Sequence, residues 1–383
     1  MIKLAFILFT NLSVGAGTES IVLEYCQRVP SDFEITVVQM DKPTGKLEYR
    51  EKLLSVKNVN LITVKGYDYK FSYVPKNKIL EGLNLFLFQP FLFKLLHYTV
   101  YRDLQKQIGN QDIIYVVQNN YSSLFKKGPI IIGSTHCWRP IRTGPESIFT
   151  KFIYHRIFWR NINFFHIFTH YSWFLSHSRG FIVDNGIDLS IFSSNISDKF
   201  EKEKNSFVFM ARLEECKGVN VAINAFLNLK RDDINLNIIG NGSLFETIKE
   251  EKHIKKSGFL EKLEINKIFA RSGCLVYPST CDTFSLVVIE ALGSGLYVIA
   301  SNYLKGIFDE FEQLGVLEYC DPNPIAFSER MKVYLNKTID VTAFDKAKEL
   351  VKKKYSWDFL CKKFYNELRD IVINKNHDKK EIL

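Results

Sequence analysis

The chain has no D-x-D triplet, no C-x-x-C pair, no H-E-x-x-H and no G-x-x-x-x-G-K-[ST] loop. These absences remove, in turn, a metal–diphosphate clamp built on closely spaced carboxylates, a zinc or dithiol motif, a zinc-protease helix and a Walker phosphate cradle. Cys26, Cys137, Cys216, Cys274, Cys281, Cys320 and Cys361 are scattered and odd in number, which excludes a disulfide framework and suits reduced thiols in a cytosolic protein. Long apolar runs are also missing. The nearest, Leu83 to Leu96, is interrupted by Asn84, Gln89, Pro90 and Lys94, short of the roughly 18 apolar residues a spanning helix needs. Met1 to Phe9 is apolar but short, and it opens into a glycine loop, so it predicts a buried first strand rather than a secretory signal.

Acidic residues are absent from two windows, Leu83–Arg102 and Ser147–Val183. The second carries Lys151, Arg156, Arg160 and Arg179 among Phe149, Phe152, Tyr154, Phe158, Trp159, Phe164, Phe165, Phe168, Tyr171, Trp173 and Phe174. With a formal charge of +9 and 14% aromatics, the chain suits an anionic surface, either nucleic acid or membrane. No recognised nucleic-acid module accompanies the charge, so no nucleic-acid partner is expected. Basic residues beside aromatics fit the headgroup boundary of an anionic membrane. Part of this aromatic set also has a core to fill.

What is present is the alternation of strand and helix. A length of 383 residues with 46% hydrophobic content predicts two cores. Strands are expected at Leu4–Phe9, Ile35–Val38, Asn60–Val64, Ile113–Val117 and Ile130–Gly133, with a helix over Thr18–Cys26. After the polar stretch Ser193–Asn205 the rhythm restarts. Strands are expected at Phe207–Met210, Leu236–Ile239, around Phe259, Cys274–Tyr277 and Tyr297–Ala300, with helices over Asn220–Leu229 and Leu286–Leu292. The expected fold class is α/β, with two doubly wound, Rossmann-like halves. The polar end, Lys375 to Leu383, reads as a disordered tail.

Four groups of residues carry chemistry. Asp282 lies in the turn between a strand and a helix, and Glu290 lies about two helical turns further on. A ligand with a charged centre at the helix N-terminus and a polar group at each end could touch both acids, and a nucleotide-sugar has that shape. Arg212 and Lys217 follow the strand Phe207–Met210, with Gly218 behind them, placed to neutralise phosphate. Gly15-Ala16-Gly17 precedes a helix and offers backbone N–H groups to an anion. It departs from a dinucleotide fingerprint, because Ser20 holds the third glycine position and the loop from Phe9 is too long. His136, just past the Ile130–Gly133 strand, is placed either to make a structural hydrogen bond or to meet a sugar.

These elements in this order resemble the retaining GT-B glycosyltransferases of family 4. Phe209-Met210-Ala211-Arg212-Leu213 with Lys217-Gly218 is similar to the family's G-R-L…K-G segment. Ile238-Ile239-Gly240-Asn241-Gly242 is similar to its I-G-x-G turn, and Asp184-Asn185-Gly186-Ile187-Asp188 to its P-N-G-V-D linker entry. Residues 278 to 290 resemble P-S-x-x-E-x-F-G-x-x-x-x-E, and Tyr355-Ser356-Trp357 the aromatic-Trp segment before the last helix. The likeness is densest over 184–300 and thin over 40–130, where acceptor-binding parts would lie. Three positions depart from it: Asp282 stands for the family's Glu, Ser285 for the Gly after Phe284, and Ala211 for the Gly before Arg212. The shorter carboxylate is drawn back by one methylene, and a β-carbon at 285 crowds a place where backbone amides approach the ligand.

The resemblance implies two doubly wound domains facing across a cleft. An acceptor-side domain would cover 1–190 and be completed by a C-terminal helix at about 356–374, with a nucleotide-sugar domain over 191–355. It further implies a metal-independent, cofactor-free, hexosyltransferase-like enzyme using a UDP- or GDP-linked donor. The acceptor would be a glycan or lipid-linked precursor, met in the cytoplasm at the inner membrane face. The donor diphosphate would sit between the Gly15–Gly17 loop and Arg212 with Lys217. Asp282 would bind sugar hydroxyls, His136 would line the sugar from the other domain, and Glu290 would hold the ribose. Gly240, Phe259, Phe284, Ser285 and Leu286 complete the implied donor contacts. Two competing readings are a nucleotide-sugar epimerase, for which no acid–base residue can be assigned, and a catalytically impaired subunit that binds a partner or glycan.

Overall fold

The computed structural model describes residues 1–8, 17–40, 48–64, 104, 106–117, 125, 128–134, 161–167, 179–189, 202–282, 284–338 and 340–380. The chain divides into two compact units, one of Met1–Val183 with Cys361–Leu383, the other of Asp184–Leu360. The Asp184–Asp188 segment therefore lies with the second unit.

The first unit is built on β1 (Ile2–Ile7), β2 (Phe33–Met40), β3 (Val59–Val64), β4 (Ile113–Val116), β5 (Ile130–Ser134), β6 (Phe164–Ile167) and β7 (Gly180–Ile182). They form a parallel sheet in the order β3-β2-β1-β4-β5-β6-β7. Central strands such as β4 are buried at every position, the pattern of a sheet covered on both faces. The helix Gly17–Gln27 contributes Tyr25 and Cys26 to the interior. The last helix, Trp357–Lys380, begins in the second unit and joins the first from Cys361 onward. There Phe364 stacks on Tyr25 with ring centroids 4.0 Å apart, and the Tyr365 hydroxyl donates to the Tyr25 carbonyl at 2.7 Å. Arg369 donates to both carboxylate oxygens of Asp32 at 2.7 Å.

The second unit is built on β8 (Glu203–Met210), β9 (Asn235–Ile239), β10 (Ile254–Ser257), β11 (Ser272–Tyr277), β12 (Tyr297–Ser301) and β13 (Leu317–Cys320). These strands are parallel, in the order β10-β9-β8-β11-β12-β13. Phe207, Phe209, Leu236, Ile238, Cys274, Val276, Tyr297 and Ile299 point to one face. There they pack with Ala222 and Phe226 of helix Val219–Leu227 and with Phe327 and Met331 of helix Pro324–Asn336. The chain winds outward from β8 to β10, then returns to β11 on the other side of β8.

The structure differs from the sequence expectation in three places. The strand expected around Phe259 is Ile254–Ser257 instead, and Phe259 follows it, 71% exposed. An edge strand has solvent along one side, so Lys255 and Lys256 are tolerated and no apolar run marks it. Strands β6, β7 and β13 have only three or four residues each, too short to give a clear period. Where a disordered tail is expected from Lys375, the backbone remains helical to Lys380.

Candidate active site

Loops leaving β8 and β11 diverge at the point where the winding of the second sheet reverses. In open α/β sheets, ligands bind outside the carboxyl ends of the strands at such a switch point. The sequence places its charged candidates there. Arg212 lies just beyond Met210, the last residue of β8, and Lys217 closes the short turn Glu215–Lys217. Asp282 lies between β11 and the helix Leu286–Gly293, and Glu290 is on that helix.

Glycine chemistry fixes these loops. Gly218 has a φ of 77°, and a β-carbon there would sit 2.7 Å from the Pro278 carbonyl oxygen, so the turn after β8 can lie directly on the loop after β11. The Thr280 N–H donates to the Cys216 carbonyl at 2.9 Å across the same contact. Gly240 has a φ of 139°, and a β-carbon would overlap the Ala211 carbonyl oxygen at 1.9 Å. Beyond it, the Leu213 N–H donates to the Asn241 carbonyl at 2.9 Å, and Ser243 Oγ donates to Glu214 at 2.7 Å. The loops after β8, β9 and β11 are thus stitched to one another.

At the centre, Lys217 Nζ forms an ion pair with Asp282 Oδ1, the two side chains 13% and 14% exposed. The Tyr277 hydroxyl donates to Asp282 Oδ2 at 2.6 Å. Burial pushes the Asp282 carboxyl up, but the Lys217 ammonium and hydrogen bonds from Lys217, Ser279 and Tyr277 outweigh it and hold the group below the ordinary range. Asp282 is therefore an anion at neutral pH. Arg212 is exposed; among the described residues no hydrogen bond or ion pair holds its guanidinium, and its charge acts on the neighbouring Glu214 carboxylate. Glu290 is half-buried, and loss of solvent raises its carboxyl to about 7 against the opposing charge of Lys262. No hydrogen bond reaches that carboxyl among the described residues. Among the described residues the arrangement offers an exposed cation without a hydrogen bond or ion pair, a cation–anion pair that neutralises itself, and an acid further along the helix that accepts no hydrogen bond.

The remaining candidates are distributed unevenly. Ser285 is buried and caps the helix, its Oγ accepting from the Val288 N–H at 3.3 Å. Leu286 is the first helical residue. The ring of Phe284 is buried, 5.8 Å from Phe308 and 6.0 Å from Tyr355 between centroids. Gly240 is in the stitched loop after β9, and Phe259 is in the loop after β10. Gly17 opens the helix Gly17–Gln27 of the first unit. Gly15 and His136 lie outside the described residues, as does most of the Ser147–Val183 window and all of Leu83–Arg102. Sequence reading missed Tyr277 as a site residue and saw only the end of a strand. Its signal was a hydroxyl at a position that burial forces to find a partner. Among the described residues, no group of three or more His, Cys, Asp or Glu could hold a metal ion.

Two Rossmann-like parallel-sheet units, one with its charged site at the switch point, make this a protein of the GT-B glycosyltransferase architecture. Residues 193–357, less than half of the chain and most of the second unit, match the family model for glycosyl transferases group 1. A protein of the cps region of Klebsiella pneumoniae is 28% identical over 35% of this chain and 41% of its own length. A lipopolysaccharide 1,2-N-acetylglucosaminetransferase of Salmonella typhimurium is 22% identical over 49% of this chain and 56% of its own. The chain thus spans about half, or less, of these curated relatives. Among solved structures, HepE of Anabaena in complex with UDP and glucose superposes with a TM-score of 0.68 at 13% identity, covering 96% of this chain and 100% of its own. At that identity the likeness is one of fold.

Proposed function

We propose that this protein is a retaining, metal-independent glycosyltransferase that moves a sugar from a UDP- or GDP-linked donor to a glycan or lipid-linked acceptor. The observation that carries the reading is the exposed Arg212 on the same switch-point loop as Lys217, which pairs with Asp282. Binding of a nucleoside diphosphate would open that pair. Lys217 and Arg212 would turn to the diphosphate, while Asp282, held by Tyr277, would keep its carboxylate for sugar hydroxyls. Charge that develops on the departing diphosphate would meet two fixed cations, electrostatic stabilisation that needs no metal. Each charge-assisted contact contributes about 1.5–3 kcal/mol. Glu290, further along the helix, would accept from ribose hydroxyls. Retention is supported by the motif likeness to family 4.

The acceptor side rests on sequence. The acid-free, aromatic and basic windows support docking at an anionic membrane face, where a lipid-linked acceptor would be met. No helix among the described residues is long and apolar enough to cross a membrane. Vesicle co-sedimentation addresses this part, with anionic liposomes expected to bind the protein and neutral ones not. Equal binding to both, or to neither at low salt, would leave an acceptor in solution.

Donor turnover tests the core of the proposal without an acceptor in hand. Slow hydrolysis of UDP- and GDP-sugars in excess chelator, followed by proton NMR, should release sugar first as the anomer present in the donor. A first-formed opposite anomer, or turnover that appears only on adding Mn²⁺, would contradict the reading.

A further inference from the structure

Each member of the Lys217–Asp282 pair is preceded by a cysteine. Cys216 is exposed, Cys281 is partly buried, and both are free thiols. The two segments run side by side, with the Thr280 N–H and hydroxyl both donating to the Cys216 carbonyl, at 2.9 and 3.2 Å. Consecutive positions therefore face each other across the loops, 216 opposite 281 and 217 opposite 282. Cys216 is near enough to Cys281 to act on its thiol. A disulfide needs that proximity and a close approach of the two backbones. Elsewhere among the described residues, Cys26, Cys274 and Cys361 are buried out of reach of a soluble oxidant, and Cys320 is partly buried on β13.

We propose that Cys216 and Cys281 form a reversible disulfide, driven by exchange with a low-molecular-weight disulfide, that locks the switch-point loops together. The exposed Cys216 loses its proton to solvent and attacks one sulfur of the small disulfide. The reagent's S–S bond breaks, and one thiolate leaves. Cys281, deprotonated in its turn, attacks Cys216 Sγ and expels the second thiolate. The protein dithiol is oxidised by two electrons, and the reagent is reduced to two thiols that take up the two protons. Burial and the nearby Cys216 hold the Cys281 thiol above its ordinary pKa, which suits the second, resolving role. The new bond would clasp the residues adjacent to Lys217 and Asp282. That bond formation stands on the loop geometry alone. Its consequence, a closed donor site, rests on the function proposed above, in which the ion pair must part for a diphosphate to enter.

The test treats the full chain with oxidised glutathione, blocks remaining thiols and digests without reductant. The expected product is a peptide joining Cys216 to Cys281, lighter by two hydrogens and released by dithiothreitol. It should be absent from Cys216→Ser and Cys281→Ser, with the latter carrying a glutathione adduct on Cys216. Adducts that persist on Cys216 in the unaltered chain, or cross-links that form elsewhere instead, would overturn the disulfide. A second arm titrates UDP and GDP. The better ligand should bind about tenfold or more weakly to the oxidised protein than to the reduced one, as loss of one charge-assisted phosphate contact implies. Cys216→Ser should bind alike in both conditions. A cross-link with unchanged affinity would overturn the lock and spare the donor site. No binding by the reduced protein would overturn the donor reading and the lock with it, while the peptide map would still decide the disulfide.

Discussion

Asp282 shows how one side chain can be set by its neighbours. A carboxylate this buried stays ionised because Lys217 neutralises it and neighbouring donors, among them the Tyr277 hydroxyl at 2.6 Å, satisfy its oxygens. Tyr277→Phe removes that donor and keeps the ring's packing. Sugar transfer should fall about tenfold or more, the worth of one hydrogen bond to a charged group, while nucleoside diphosphate affinity is unchanged. Equal losses of both would show that Tyr277 merely supports the fold. Glu290 makes the opposite case. Its carboxyl is raised from an ordinary 4.5 to about 7, so the native state holds its proton more tightly than the unfolded chain. The stability this contributes is fully present below 4.5 and is lost as pH rises through about 7. Glu290→Gln should therefore match the unaltered protein in Tm near pH 4 and exceed it at pH 8. The same variant should lose nucleotide affinity at pH 8, and it should lack the gain in affinity expected of the unaltered protein between pH 6 and 8 as Glu290 ionises. A Tm difference independent of pH would contradict the account of this residue.

At the scale of elements, the site is a meeting of loops held by glycines and backbone hydrogen bonds. At Gly218 the turn after β8 lies against the loop after β11 with no room for a β-carbon. Gly218→Ala combines a φ of 77° with a β-carbon 2.7 Å from the Pro278 carbonyl, and it should cost about 1–3 kcal/mol in urea unfolding. Gly258→Ala is the control, since nothing lies within 4 Å of its β-carbon and its φ is not in the left-handed region. Equal destabilisation by both would remove the argument. These loops were partly legible in the sequence. Gly240-Asn241-Gly242 after an apolar run announces a turn, and Lys217-Gly218 announces another. The contact between turn and loop was not legible, because Gly218 and Pro278 are far apart in sequence and only the parallel pairing of β8 with β11 brings them together. Strand β10 was misplaced for a related reason. Its residues are polar because it is an edge, and an edge strand is defined by its neighbours rather than by its own period.

Across the whole molecule, the repeated alternation of apolar strand and amphipathic helix made two parallel-sheet units legible, since strands buried on both faces leave near-continuous apolar runs. The order of those strands was not written in any single run, yet it decides where the function lies. The order β10-β9-β8-β11-β12-β13 puts Arg212, Lys217 and Asp282 at the one reversal in the second sheet. On the function proposed above, this reversal binds a nucleoside diphosphate through Arg212 and Lys217 without a metal. Calorimetric titration of UDP and GDP, in chelator, onto the unaltered protein and onto Arg212→Ala/Lys217→Ala tests it most directly. One of the two nucleotides should bind the unaltered protein, and the double variant should bind it about a hundredfold or more weakly, since two charge-assisted contacts are removed. Equal affinity in both proteins, or binding that appears only when a divalent metal is supplied, would contradict the account.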